Sequence, residues 1–216
     1  IRPSQMGKET QVEKVPFGVV AAIIPWNYPV TLAISKIAPA MAAGCTLVIK
    51  PSPGTVLDSY ILAEAVLEAG VPAGVLNWVA ADREVGAYLV SHPGVDKVAF
   101  TGSSAAGRLI AETCGALLRP VTLELGGKSA AIVLEDADID AFIQGVPMTC
   151  LLNNGQTCFA GTRILAPKKL YKQISEAVAE IVSAMVIGDA IDPETQMGPM
   201  ASESHRERVE GYIVTG

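Results

Sequence analysis

The stretch GVVAAIIPWNYPVTLAISKIAPAMAAGCTLVIK, residues 18–50, decides the fold. Gly18–Ile24 is a short apolar run suited to a buried strand. Pro29 opens a helix, and Val30, Ile34, Ile37, Ala38 and Met41 recur at helical spacing until Gly44 stops it. Thr46–Ile49 is a second apolar run. A strand, a helix of more than ten residues and another strand apolar on both faces form the repeating unit of a covered parallel sheet.

Outward from that unit the alternation continues. Thr55 is placed to cap a helix carrying Leu57, Ile61, Leu62, Ala65, Val66 and Ala69, which Gly70 and Pro72 end. Leu76–Val79 reads as a strand, Arg83–Val90 as a short helix and Val95–Phe100 as a strand. Ser103 or Ser104 caps a helix with Leu109, Ile110, Thr113 and Leu117, and strands follow at Val121–Leu125 and Ala130–Leu134. Ligands of such sheets bind beyond the carboxyl ends of the strands, so the loops after Ile24, Ile49, Val79, Phe100 and Leu125 belong around one crevice. Residues 1–15 are polar and broken, an arm rather than an element. After Glu135 the texture changes to an acid-capped helix, an Asn153–Arg163 loop, an amphipathic helix over Lys168–Val186 and a final helix begun in Ser202–Gly216. The second half reads as a domain cut short.

Composition narrows the class. Half of the 216 residues are hydrophobic and 18% are charged, enough apolar material for a sizeable core. The formal net charge is −6 without any basic run, which argues against a nucleic-acid partner. The longest apolar stretches fall short of a membrane span. Four cysteines without a Cys-x-x-Cys pair, and two histidines, support neither a zinc site nor a disulfide framework, so no metal is expected and a reducing, cytoplasmic setting fits.

Four local features carry chemistry. Pro25-Trp26-Asn27-Tyr28-Pro29 is either a rigid double-proline turn or a loop presenting the Asn27 amide to a developing oxyanion. Phe100-Thr101-Gly102-Ser103-Ser104 leads into a helix, where a phosphate or an ordinary cap fits equally. No Gly-x-Gly-x-x-Gly occurs, and neither Gly107 nor Gly127-Lys128-Ser129 completes a phosphate-binding P-loop. Glu124, in an apolar strand end before Gly126 and Gly127, is expected to be buried, either as a general base with a raised pKa or in an ion pair. Cys158 differs from Cys45, Cys114 and Cys150 in lying between Gly155 and Gly161, in a loop of small residues that suits a nucleophile.

In this order the features resemble the aldehyde dehydrogenase superfamily. Pro-Trp-Asn-Tyr-Pro at 25–29, Lys-Pro-Ser at 50–52, Phe-Thr-Gly-Ser at 100–103, Leu-Glu-Leu-Gly-Gly at 123–127, Gly-Gln-Thr-Cys at 155–158 and Met197-Gly198-Pro199 all match, over nearly the whole chain. The resemblance implies an α/β fold: a Rossmann-like parallel-sheet cofactor domain over residues 16–125, followed by part of a second α/β catalytic domain over 126–216. Residues 1–15 would be the remnant of a bridging hairpin.

It implies an oxidation of an aldehyde to a carboxylic acid with NAD, or NADP, in a longer parent protein. Cys158 would attack the aldehyde, Asn27 and the Cys158 N–H would hold the oxyanion, and Glu124 would activate water against the thioester. Lys50 would contact the adenosine ribose and Ser103 the pyrophosphate, with Trp26, Ser52, Gly102, Leu125 and Gly126 also at the cofactor. The parent would be a homodimer or homotetramer acting on a small-molecule aldehyde. Glu124 separates this reading from an acylating enzyme of the same fold, Glu124 and Asn27 together argue against a phosphate-linked semialdehyde enzyme, and the presence of both Cys158 and Glu124 separates it from a non-catalytic nucleotide-binding scaffold.

Three departures stand out. Pro53 occupies the position where NAD-preferring members often carry Glu, which leaves the choice between NAD and NADP open. The Val79–Gly86 loop lacks the early glycines common there. The chain is also shorter than the family, lacking the segment that holds the nicotinamide ribose, and on its own it is expected to be inactive.

Overall fold

A computed structural model describes residues 2–3 and 9–216, with backbone alone for 2, 3, 9 and 10. Of the arm expected over 1–15, residues 1 and 4–8 lie outside the described residues. Arg2–Pro3 (β1) and Glu9–Thr10 (β2) form a short antiparallel ladder, and residues 11–15 carry no regular structure. The chain divides into two compact units, Ile1–Leu125 and Gly126–Gly216.

The first unit is a five-stranded, wholly parallel sheet. In chain order it runs β3 (Val19–Ile23), α1 (Pro29–Ala42), β4 (Thr46–Lys50), α2 (Leu57–Glu68), β5 (Leu76–Trp78), α3 (Arg83–Ser91), β6 (Lys97–Gly102), α4 (Ser104–Ala116) and β7 (Val121–Leu125). The spatial order is β5-β4-β3-β6-β7, so the direction of winding reverses between β3 and β6. Alternation along β3 divides the core. Val20, Ala22 and Ile24 pack with Ala33, Ile37, Leu47 and Ile49, whereas Ala21 and Ile23 pack with Val90, Val98, Phe100 and Cys114. Helices α1 and α2 supply the first layer and α3 and α4 the second, which is why β3 tolerates no polar residue on either face.

Local chemistry explains most boundaries. Pro29 opens α1, and Gly44, at φ +80°, turns the chain into β4 in a conformation a side chain would strain. Thr55 does not cap α2 as expected: Pro53–Thr55 forms a 3₁₀ turn, Val56 precedes the helix, and the buried Thr55 hydroxyl has no partner. Pro53 opens that turn and Pro51 precedes it by two residues, which holds it out of the α-helix. The apolar stripe of α2 is also broader than its contact, because Leu62 and Val66 pack inward while Leu57 and Ile61 are exposed.

The second unit contains β8 (Ala130–Ile132), α5 (Ile139–Cys150), β9 (Arg163–Leu165), α6 (Tyr171–Ser183) and α7 (Glu203–Thr215). Strands β8 and β9 pair in parallel as a separate two-stranded sheet. Asp138 caps α5 by accepting from the Ala141 N–H at 3.0 Å, and Ser202 caps α7 by accepting from the His205 N–H. The Lys168–Val186 helix is shorter than its apolar period, since Leu170 and Ala184 only flank it. Among the described residues no helix is long and apolar enough to cross a membrane.

Candidate active site

In the first unit the strand ends create a cavity of about 520 Å³ where the sheet's winding reverses, the position at which open α/β sheets bind ligands. Ile23 to Trp26 at and beyond the end of β3, Lys50, Ser52 and Pro53 at and beyond the end of β4, and Phe100 to Ser103 at and beyond the end of β6 line this groove. Trp26, Lys50, Ser52, Gly102 and Ser103, five of the candidates from the sequence, therefore share one wall. Leu125 has a different place. Its side chain lies under α4 at Gly107, where a Cβ would come within 2.5 Å of it.

Lys50 is held rather than mobile. Its ammonium donates to the Pro51 carbonyl at 3.0 Å and the Ala81 carbonyl at 2.8 Å, leaving one N–H for a ligand. Gly86 makes room for its stem, because a Cβ there would sit 3.0 Å from Lys50 Cε. Burial lowers the Lys50 pKa, and the nearby Asp82 carboxylate opposes that. Ser103 caps α4 by accepting from the Ala106 N–H at 3.2 Å, so a helix starts in the groove wall, with its positive end there.

On the other side of β6, Glu124 is exposed, not buried as expected. The physical reason is that β7 is an edge strand. Val121, Leu123 and Leu125 turn to the α4 layer, and Thr122 and Glu124 to the opposite, uncovered face. In the β6–β7 register Glu124 stands beside Thr101. Thr101 accepts a 2.7 Å hydrogen bond from the ammonium of Lys36, a buried lysine on α1. Burial pushes the Lys36 pKa down and the Glu124 charge pushes it back up. Lys36 is the residue that sequence reasoning missed. The available signal was a lone cation inside an otherwise apolar helix. Asn27 lies half-buried between β3 and α1.

In the second unit Cys158 is exposed, whereas Cys45, Cys114 and Cys150 are buried. The loop that presents it is tightly specified. Asn153, Asn154 and Gly155 are three consecutive left-handed residues, at φ 55°, 57° and 72°, conformations Asn and Gly accept most readily. Asn154 Nδ2 donates to the Gly198 carbonyl at 2.9 Å and the Pro199 carbonyl at 3.0 Å, and Gln156 Oε1 accepts from the Ala201 N–H. The Thr157 hydroxyl donates to the Leu152 carbonyl, and the Cys150 thiol to the Gly161 carbonyl at 3.1 Å. The loop is thus fastened to α5 behind it and to the Met197–Ala201 segment beside it. Phe159 and Met148 are exposed close to it in sequence, and residues 141–162 contain no charged side chain. Among the described residues no three metal-binding side chains gather.

The aldehyde dehydrogenase family matches residues 1–216, the entire chain. The chain belongs to the aldehyde dehydrogenase family. It is 65% identical over 215 residues to geranial dehydrogenase of Castellaniella defragrans, covering 100% of this chain and 45% of that protein. It is 45% identical to phenylacetaldehyde dehydrogenase of Pseudomonas fluorescens, over 99% of this chain and 43% of that one. The crystal structure of a Mycobacterium tuberculosis aldehyde dehydrogenase complexed with NAD+ superimposes with a TM-score of 0.90 at 50% identity, covering 92% of this chain and 41% of that chain. The chain thus spans less than half the length of these aldehyde dehydrogenases.

Proposed function

We propose that this chain contributes the dinucleotide-binding unit and the nucleophile-bearing loop of an NAD-dependent, non-acylating aldehyde dehydrogenase. The observation that carries the reading is the groove at the sheet's winding reversal, with a fixed lysine and a helix start in its wall, in a chain of this family. Residues 16–125 are the cofactor unit and 126–216 belong to the catalytic unit. The groove residues fit the dinucleotide. Lys50 has an N–H left for a ribose hydroxyl, the start of α4 at Ser103 suits a pyrophosphate, and Trp26, Ser52 and Gly102 complete the wall. The chemistry the dinucleotide supplies when bound is acceptance of the hydride by which a thiohemiacetal on Cys158 becomes a thioester.

The chain's own residues do the rest. The Cys158 thiolate forms the carbon–sulfur bond to the aldehyde carbon. The Asn27 amide and the Cys158 backbone N–H hold the resulting oxyanion. Glu124 takes a proton from the water that attacks the thioester, and its exposure leaves it open to that water. The substrate is an uncharged apolar aldehyde. The charge-free 141–162 segment with exposed Met148 and Phe159 supports this, as do relatives named for geranial and phenylacetaldehyde. Four unpaired thiols favour a reducing compartment such as the cytoplasm, and by family resemblance the whole enzyme is a homodimer or homotetramer.

The test is aldehyde-dependent NADH formation by the full-length protein, beside Cys158→Ala and Glu124→Gln. Undiminished turnover by Cys158→Ala would overturn the assignment.

A further inference from the structure

The Lys50 end of the groove lacks the carboxylate that Pro53 displaces, yet a carboxylate is present. Asp82 lines the same cavity, entering from the start of α3 rather than from the segment after β4. One of its oxygens, Oδ1, is pinned by the N–H groups of Glu84 and Val85, at 3.1 and 3.2 Å. Oδ2 remains available as an acceptor. Its neighbour in sequence, Ala81, supplies the carbonyl that fixes the Lys50 ammonium at 2.8 Å. One short segment therefore sets both the cation and the anion, and the two charges interact.

We propose that Asp82 reads the adenosine ribose of the bound dinucleotide and selects NAD+ over NADP+. The inference rests on the assignment of the groove to the dinucleotide made above. A ribose 2′-hydroxyl donates to a carboxylate, while the remaining Lys50 N–H serves the other hydroxyl. A 2′-phosphate at the same point meets a fixed negative charge that cannot swing away, because two backbone N–H groups hold it. Arg83 lines the same wall and carries the opposite charge; both side chains are exposed, and what distinguishes Asp82 is its fixed position on two backbone N–H groups.

The choice of variants separates this role from helix capping. Asn and Ser keep a capping oxygen at position 82 but remove the charge, so Asp82→Asn and Asp82→Ser leave α3 intact. The affinities of the full-length protein for NAD+ and NADP+ are measured by calorimetric titration, without aldehyde, for wild type and both variants. The wild type is expected to bind NAD+ about tenfold or more tighter than NADP+, and both Asp82 variants to narrow that ratio by a similar factor. Equal wild-type affinities, or a ratio that neither Asp82 variant changes, overturn the role of Asp82 while the groove assignment stands. Failure of the wild type to bind either dinucleotide overturns both.

Discussion

Lys36 donates from α1 to Thr101 on β6 at 2.7 Å, and the strand beside Thr101 carries Glu124. An apolar helix thus delivers one ammonium to the face of the sheet where the proposed water-activating carboxylate stands. Because burial lowers the Lys36 pKa in the folded protein, the unfolded chain binds more protons between that lowered value and the ordinary 10.5. Stability attributable to this residue therefore rises with pH through that window. The unfolding free energy of wild type relative to Lys36→Met is expected to shift in favour of wild type as pH climbs toward 10.5, as read by denaturant melts at several pH values. A difference that falls with pH would contradict the burial seen here.

Asn27 and Glu124 act at different stages in the proposed chemistry. Asn27→Ala removes an oxyanion donor and should lower kcat by about 10²–10³-fold. Glu124→Gln should instead slow thioester hydrolysis by about 10²-fold or more, leaving a burst of NADH followed by a slow steady state. Stopped-flow traces distinguish the two. A burst with Asn27→Ala and none with Glu124→Gln would reverse the roles.

Thiol accessibility differs sharply among the cysteines. Cys158 is exposed and the other three are buried. A thiol reagent added to native protein is expected to modify Cys158 first, with loss of activity protected by aldehyde. Peptide mapping by mass spectrometry reads the order. Early labelling of Cys150 would mean that its bond to the Gly161 carbonyl opens readily.

Asn154 has two tasks, a left-handed backbone and two hydrogen bonds to Gly198 and Pro199. Asn154→Ala loses both and should destabilise by about 2–3 kcal/mol. Asn154→Gly restores the backbone freedom alone and should recover about 1 kcal/mol of that. Chemical denaturation of the full-length variants measures both values, and an Ala variant as stable as the Gly variant would show that the backbone conformation costs nothing.

The alternating sheet was legible because its inner strands β3, β4 and β6 are buried on both faces, and continuous apolar runs such as Val19–Ile24 leave few other readings. The groove residues were legible because Trp26, Lys50 and Ser103 all lie at or just beyond strand ends. Less visible were features set by neighbours distant in sequence. The exposure of Glu124 depends on β7 being an edge with one covered face, and its local sign, the alternation of Val121, Leu123 and Leu125 with Thr122 and Glu124, is only five residues long. Thr55 resembled a cap until two prolines set the turn before it. Lys36 stands among apolar residues of α1, and only the α1–β6 packing gave it Thr101. Asp82 fell in a loop noted for the glycines it lacks, and its value emerges once Ala81 is seen holding Lys50.

The three left-handed residues ahead of Cys158 bear on any effort to transplant this chemistry. Their shape is completed by Gly198 and Pro199, more than forty positions downstream. Grafting Gly155-Gln156-Thr157-Cys158 into a foreign scaffold would carry the sulfur without its aim. The smallest portable piece reaches from Thr149 to Ala201, and a designer who borrows less must rebuild the missing partners.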